Sequence, residues 1–219
     1  MNIALIVFAG NGSRIHSELP KQFIRINDIE MVVYTIKKFN DNPHIDEIVL
    51  VTSKEFIPYV EEFKDKYELQ KIVKVVEGGT SRQESVRLGL SSLEYDEKDN
   101  VLIHDGDRPL VSNSVINQCI SYLDEFEACC PYLLETDEIQ EISNSGRKIE
   151  LNGVKVDIQT PQGFKFQLIK DKHFEKASLQ VNDDISLVDP SKVKFFVGEP
   201  INFKVTTDED LQYLKSHLL

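Results

Sequence analysis

Apolar positions along the first 125 residues switch between two periods. Short apolar runs of strand length, with Ile3-Ala4-Leu5-Ile6-Val7 the clearest, predict buried parallel strands at 2–8, 46–52, 71–77 and 100–104. Between them apolar residues recur at helical spacing and predict helices over about 30–40, 54–66, 81–93 and 112–125. Repetition of strand, helix and strand at these lengths implies an α/β, Rossmann-like parallel sheet with helices on both faces. Sites in such folds lie at the carboxyl ends of the strands.

The rhythm fails after Ala128. Residues 137–158 carry the turn formers Ser143-Asn144-Ser145-Gly146 and Asn152-Gly153 between short alternating runs, which predicts a protruding β-arm able to reach a neighbouring subunit. The alternation then returns with a helix over about 165–177, a strand at 192–198, a short strand from Asn202 to Val205 and a C-terminal helix capped by Thr206-Thr207. A chain of 219 residues, 41% of them hydrophobic, reads as one domain over 1–219, with the arm as an excursion from it.

Composition narrows the function. A net charge of −12, with no cluster of Lys and Arg in any one run, argues against a nucleic-acid surface. No apolar run approaches the ~20 residues of a membrane span and no leader precedes the first strand, so the expectation is a cytoplasmic protein without a membrane partner. Cys119, Cys129 and Cys130 lack metal-ligand spacing and read as core thiols. A polyanionic substrate would have to be met locally, by a few cations beside glycines and a divalent metal.

Three loops at predicted strand ends have that chemistry. The first strand empties into Ala9-Gly10-Asn11-Gly12-Ser13-Arg14, followed by Pro20-Lys21-Gln22-Phe23. Glycines there let backbone N–H groups approach a phosphate, while Arg14 and Lys21 supply charge. A P-loop is excluded because Ser13-Arg14 follows Gly12, and a dinucleotide fingerprint because Ile15 stands where a third glycine belongs, which also removes a Rossmann dehydrogenase. The third strand empties into Gly78-Gly79-Thr80-Ser81-Arg82-Gln83-Glu84-Ser85, where Ser81 and Glu84 fit a capping box. The fourth runs into His104-Asp105-Gly106-Asp107-Arg108-Pro109. A carboxylate at that strand tip suits magnesium, making Asp105 the expected metal ligand and Asp107 a possible second one; His104 reads as orienting the loop by a hydrogen bond.

Taken together, these loops resemble the cytidylyltransferases that make CDP-methylerythritol or CDP-ribitol from CTP and a polyol phosphate. The resemblance covers nearly the whole chain and adds Thr160-Pro161-Gln162 with Phe164, and Asn202-Phe203-Lys204-Val205-Thr206. It implies a GT-A-type nucleotidyltransferase domain, a homodimer joined through the arm, and magnesium as cofactor. On its carry-over Ala9, Gly10, Asn11, Gly12, Gly79, Arg82, Ser85 and Asp105 hold CTP, Arg14, Lys21 and Lys204 act on the transferring phosphate, and Arg108, Thr160 and Lys204 meet the acceptor. The acceptor phosphate attacks the α-phosphorus directly and pyrophosphate leaves in line, so catalysis is positioning plus charge neutralisation.

The departures lie on the acceptor side. Asn152 stands where both branches of the resembled family carry an arm arginine, although the arm threonine is kept as Thr136; Ile201 replaces an aspartate of the methylerythritol branch, and Asn182 a threonine before Asp183-Asp184. A neutral amide cannot neutralise a phosphate, although Arg147, Lys148 or Lys155 could substitute. The leading expectation is therefore CMP transfer from CTP to a polyol phosphate, for a cell-surface polymer, with ribitol 5-phosphate or an acceptor other than methylerythritol or ribitol phosphate as the destination. The alternatives are the methylerythritol phosphate enzyme of isoprenoid biosynthesis, or a nucleotide-binding protein without transfer activity. The presence of Arg14, Lys21, Asp105 and Lys204 weighs against the last.

Overall fold

The computed structural model describes residues 1–10, 15, 19–134, 141, 142, 148, 149, 155–177 and 179–218. In chain order its main elements are β1 (Asn2–Val7), α1 (Met31–Asn40), β2 (Glu47–Thr52), β3 (Ile72–Glu77), α2 (Arg82–Ser91), β4 (Asn100–Asp105), α3 (Asn113–Tyr122), β5 (Ala128–Leu134), β6 (Val156–Ile158), β7 (Gln162–Lys165), α4 (Phe166–Glu175), β8 (Val193–Val197) and α5 (Asp208–Leu218). Among the described residues the main sheet has eight strands. β3, β2, β1 and β4 run parallel in that order; β7 follows antiparallel to β4, β5 pairs antiparallel with both β7 and β6, and β8 pairs parallel with β5.

Period-two alternation along β1 shows why both faces are covered. Ala4 and Ile6 join Val32, Ile36 and Phe39 of α1 and Ile116 of α3 in one buried cluster. Ile3, Leu5 and Val7 join Val86 and Leu90 of α2 and Ile169 of α4 in the other. Core strands buried on both faces need near-continuous apolar runs, as the sequence has at β1, β2 and β4. The expected doubly covered α/β sheet is therefore present, with a mixed rather than wholly parallel strand order.

Several expected elements differ. The stretch 54–66 is broken into a 3-10 turn at Lys54–Phe56 and helices at Ile57–Glu61 and Phe63–Lys66. The strand expected from Asn202 to Val205 is irregular, because its backbone and side chains bond to loops of the site instead of to a neighbouring strand. Within the expected arm Glu141–Ile142 pairs antiparallel with Lys148–Ile149, while Val156–Ile158 already belongs to the main sheet. Most of the arm, including Thr136, Arg147 and Asn152, lies outside the described residues.

Cys119, Cys129 and Cys130 are free and buried, as expected of core thiols. No helix among the described residues is long and apolar enough to cross a membrane.

Candidate active site

A cavity of about 490 Å³ opens at the carboxyl ends of β1, β3 and β4. Its floor is the exit of β1, Val7 to Gly10. Gln22, 3% exposed, fixes that exit by donating its side-chain amide to Phe8 O and to Gly10 O, both at 2.8 Å. It sits in the 3-10 turn Lys21–Phe23, started by Pro20, and Phe23 stacks on Phe56 with ring centroids 4.4 Å apart. Just beyond, the buried Glu30 carboxylate gathers Arg25, Lys66, Tyr59 and Tyr67. These contacts hold Lys21 at the cavity wall, where Nζ meets Asp107 Oδ2 and Val205 O, each at 2.6 Å.

The second wall is the turn from β3 into α2. A Cβ at Gly78 would lie 2.4 Å from Ala9 Cβ, so only glycine lets this turn approach the β1 exit. Gly79 N–H donates to Ser85 Oγ at 3.1 Å, Ser85 Oγ–H donates to Ser81 O at 2.8 Å, and Ser81 Oγ caps the helix by accepting from Glu84 N–H. Glu84 closes the loop on Thr80 N–H and hydroxyl rather than on Ser81. Ser85 therefore shapes the turn through bonds within it.

Asp105 closes β4 and joins the two walls electrostatically. Its Oδ1 accepts from Arg82 Nε at 2.7 Å, and its Oδ2 from Lys204 Nζ at 2.9 Å, with Arg108 Nε at 3.8 Å. Burial pushes the Asp105 carboxyl up, but Arg82, Lys204 and Arg108 outweigh it and hold the group well below the usual carboxylate range. Arg82 is gripped from its far side by Asp184, with Nη1 to Oδ2 at 2.7 Å. Asp184 is itself buried and bonded to His173 at 3.0 Å. Burial alone would ease the Arg82 proton off; the two carboxylates more than reverse this, so the guanidinium is a fixed cation.

Behind this wall lies a polar layer that does not face the cavity. Asp105 N–H donates to Thr160 Oγ1 at 3.1 Å, Thr160 pairs with His104 Nδ1 at 3.0 Å, and His104 Nε2 pairs with Arg108 O at 3.2 Å. Since a carbonyl can only accept, the proton is assigned to Nε2, leaving Nδ1 to accept from the threonine. Burial pushes the His104 pKa down to about 3, so the ring is neutral and orients the loop, as the sequence suggested. Arg108, 6% exposed, donates Nη1 to Asn202 O at 2.8 Å, and Asn202 Nδ2 donates to Thr160 O at 2.8 Å.

Of the residues singled out in the sequence, Ala9, Gly10, Lys21, Gly79, Arg82, Ser85, Asp105 and Lys204 line this one cavity. Arg108 and Thr160, expected to meet the acceptor, are placed behind it, bonded to the protein itself. Asn11, Gly12 and Arg14 lie outside the described residues. Sequence reasoning gave no role to Gln22 or Asp184. Gln22 had a signal in its place between Lys21 and Phe23, whereas the pairing of Asp184 with a residue 102 positions earlier had none.

The chain as a whole is also similar to known proteins. The chain matches, over residues 2–218, the family model described as 2-C-methyl-D-erythritol 4-phosphate cytidylyltransferase. It is 40% identical to the protein of that name from Clostridium novyi (strain NT), over 96% of this chain and 93% of that one. It is also 40% identical to the one from Clostridium perfringens (strain SM101 / Type A), over 95% of each. Among solved structures it is similar to 4-diphosphocytidyl-2C-methyl-D-erythritol synthase from Anaerococcus prevotii DSM 20548, with a TM-score of 0.85, 28% identity, and coverage of 99% of this chain and 95% of that one.

Proposed function

The chain belongs to the 2-C-methyl-D-erythritol 4-phosphate cytidylyltransferase family, and from that premise we propose that its own acceptor is 2-C-methyl-D-erythritol 4-phosphate. As a member it is a CTP-dependent enzyme that moves CMP to a polyol phosphate. The observation that carries the site is the convergence of Lys21, Arg82, Asp105 and Lys204, from four distant parts of the chain, on one cavity at the strand ends.

The acceptor phosphate oxygen forms a bond to the α-phosphorus of CTP as the bond from that phosphorus to the β-phosphate bridging oxygen breaks, and pyrophosphate carries the electron pair away. Lys21 and Lys204 neutralise the phosphoryl oxygens, and Arg14 is assigned to the same task from the loop of the first strand. Arg82, locked between Asp105 and Asp184, keeps the Asp105 carboxylate aimed into the cavity. Gly10 and Gly79 bring backbone close to the nucleotide. Arg108 and Thr160 act by holding the Asp105 loop.

Magnesium belongs to the same proposal. Asp105 would hold it with a carboxylate whose oxygens pair here with Arg82 and Lys204, so a metal would take the Oδ2 side only as Lys204 turns to a phosphate, and the described residues hold no cluster of three metal-ligating side chains. Magnesium tolerates that pattern, taking one or two carboxylates and filling the rest of its shell with phosphate oxygens and water. When bound, it would supply further neutralisation of phosphate charge.

The expectation of a ribitol phosphate acceptor or a cell-surface polymer finds no support among the relatives, whose names point to isoprenoid biosynthesis. A homodimer belongs to the same proposal. Tyr132, Ile158 and Val197 share a row across β5, β6 and β8, and Leu134, Val156, Phe195 and Val197 leave an exposed apolar face beside the arm. Light scattering should give twice the 25.1 kDa chain mass. The buried free thiols fit a reducing, cytoplasmic setting.

Pyrophosphate release with CTP and a panel of 2-C-methyl-D-erythritol 4-phosphate, ribitol 5-phosphate and glycerol phosphates tests the acceptor. The methylerythritol ester should give the highest kcat/KM; a higher value with ribitol 5-phosphate would overturn the assignment.

A further inference from the structure

Two acidic side chains line the cavity among the described residues, and they are held in different ways. Asp105 has a cation on each oxygen. Asp107 has one close partner: its Oδ2 meets Lys21 Nζ at 2.6 Å, while its Oδ1 stands 3.8 Å from Lys204 Nζ and is buried without a hydrogen-bond partner among the described residues. The backbone fixes the pair. Val205 N–H donates to Asp107 O at 2.9 Å and Lys21 Nζ donates to Val205 O at 2.6 Å, so both members hang on the same turn of chain.

The charge of Lys21 is thus already balanced before a nucleotide arrives. A triphosphate entering this cavity meets a carboxylate on the same ammonium it needs, and like charges a few ångströms apart in a half-buried site repel. The carboxylate stands where that turn places it, with Asp107 O held by Val205 N–H and Oδ2 on Lys21 Nζ.

We propose that Asp107 is a resident counter-ion of Lys21 that competes with the nucleotide's phosphate groups for that ammonium, holding CTP affinity down and easing pyrophosphate out. The proposal rests on the reading that CTP phosphates occupy this cavity. It gives Asp107 a role opposite to that of a metal ligand, because removing a ligand would weaken nucleotide binding and removing a competitor strengthens it.

Calorimetry with CTP and with inorganic pyrophosphate, on the full chain with EDTA and again with magnesium, tests it. Asp107→Asn should tighten both anions on the order of two- to fivefold, the size of one partly screened ion pair. Asp107→Ala, which cannot return a hydrogen bond to Lys21, should tighten them at least as much. Pyrophosphate should become a correspondingly stronger product inhibitor, and the KM for CTP should fall. Unchanged or weakened affinity in EDTA would overturn the proposal, as would weakening with magnesium alone, which would make Asp107 a metal ligand. Wild-type protein that failed to bind CTP would instead overturn the reading of the cavity. Should neither variant fold, the 15N signal of Lys21 Nζ in the wild type, assigned through Lys21→Arg, must shift on pyrophosphate addition; a signal unmoved at saturation would refute the exchange.

Discussion

At the carboxyl ends of β1, β3 and β4 the polar side chains face a cavity; at the matching level of β6 and β7 they face the protein's own backbone. Lys21, Arg82, Asp105 and Asp107 belong to the first group. Gln159, Thr160 and Gln162 belong to the second, all buried: Gln159 donates to Glu199 O, Thr160 accepts from Asp105 N–H, and Gln162 Oε1 accepts from Asp184 and Ile185 N–H. One half of the sheet presents charge to a ligand, and the other sets where that charge stands. Substitutions in the first should change rate and affinity; those in the second should first cost stability.

The largest expected effect is at Lys21. Lys21→Ala should lower kcat by a factor on the order of 10²–10³, the loss typical of one preorganised electrostatic partner. It also strips Asp107 of its close partner beside the phosphates, leaving Lys204 Nζ at 3.8 Å, so the double variant Lys21→Ala/Asp107→Asn should keep the rate defect while recovering CTP affinity. Steady-state kinetics with calorimetry on both variants checks this, and a rate recovered by the double variant would erase the distinction between charge and position.

On the positioning side, Asp184→Ala strips Arg82 of its outer carboxylate and leaves a cation with one partner. Breaking such a buried pair costs about 3–5 kcal/mol, which urea denaturation should show. Thr160→Val removes the hydroxyl that links Asp105 N–H to His104, and should cost about 1–3 kcal/mol with a smaller fall in kcat than at Lys21. A thousandfold rate loss from Thr160→Val with full stability would place it in the chemistry and break the comparison.

The last effect is one of pH, and it vanishes at neutrality. His104 titrates at about 3 in the fold against 6.5 when free, so its contribution is complete above 6.5 and is lost as pH falls towards 3. Each pH unit in that window takes away about 1.4 kcal/mol through this group. His104→Gln should therefore show a shallower loss of stability between pH 6 and 4 than the wild type, as read from denaturation midpoints.

The same division explains what was legible beforehand. Buried parallel strands declare themselves by apolar runs, and the glycine turns at their ends are local, so the parallel half, Gly10, Lys21, Gly79 and Asp105 could be read directly, while Arg82, Ser85 and Lys204 came from the family resemblance. The antiparallel half could not. A strand's direction leaves no trace in its periodicity, and nothing in the sequence shows that Arg108 bonds to Asn202 O and Ile158 O. The alternation at Asn202 to Val205 is real, yet those residues are spent on Thr160, Arg108 and Asp107, all distant in sequence. Long-range polar pairing has no spacing signature, and for that reason Asp184 went unassigned.

Hydrogen exchange measured by mass spectrometry, with and without CTP and magnesium, tests the central division most directly. CTP should slow exchange in peptides covering residues 8–10, 78–85, 105–107 and 204–206, the cavity wall, and leave the peptide from β5 unchanged. Protection concentrated on β5 and β6, with the glycine turns unaffected, would contradict the account.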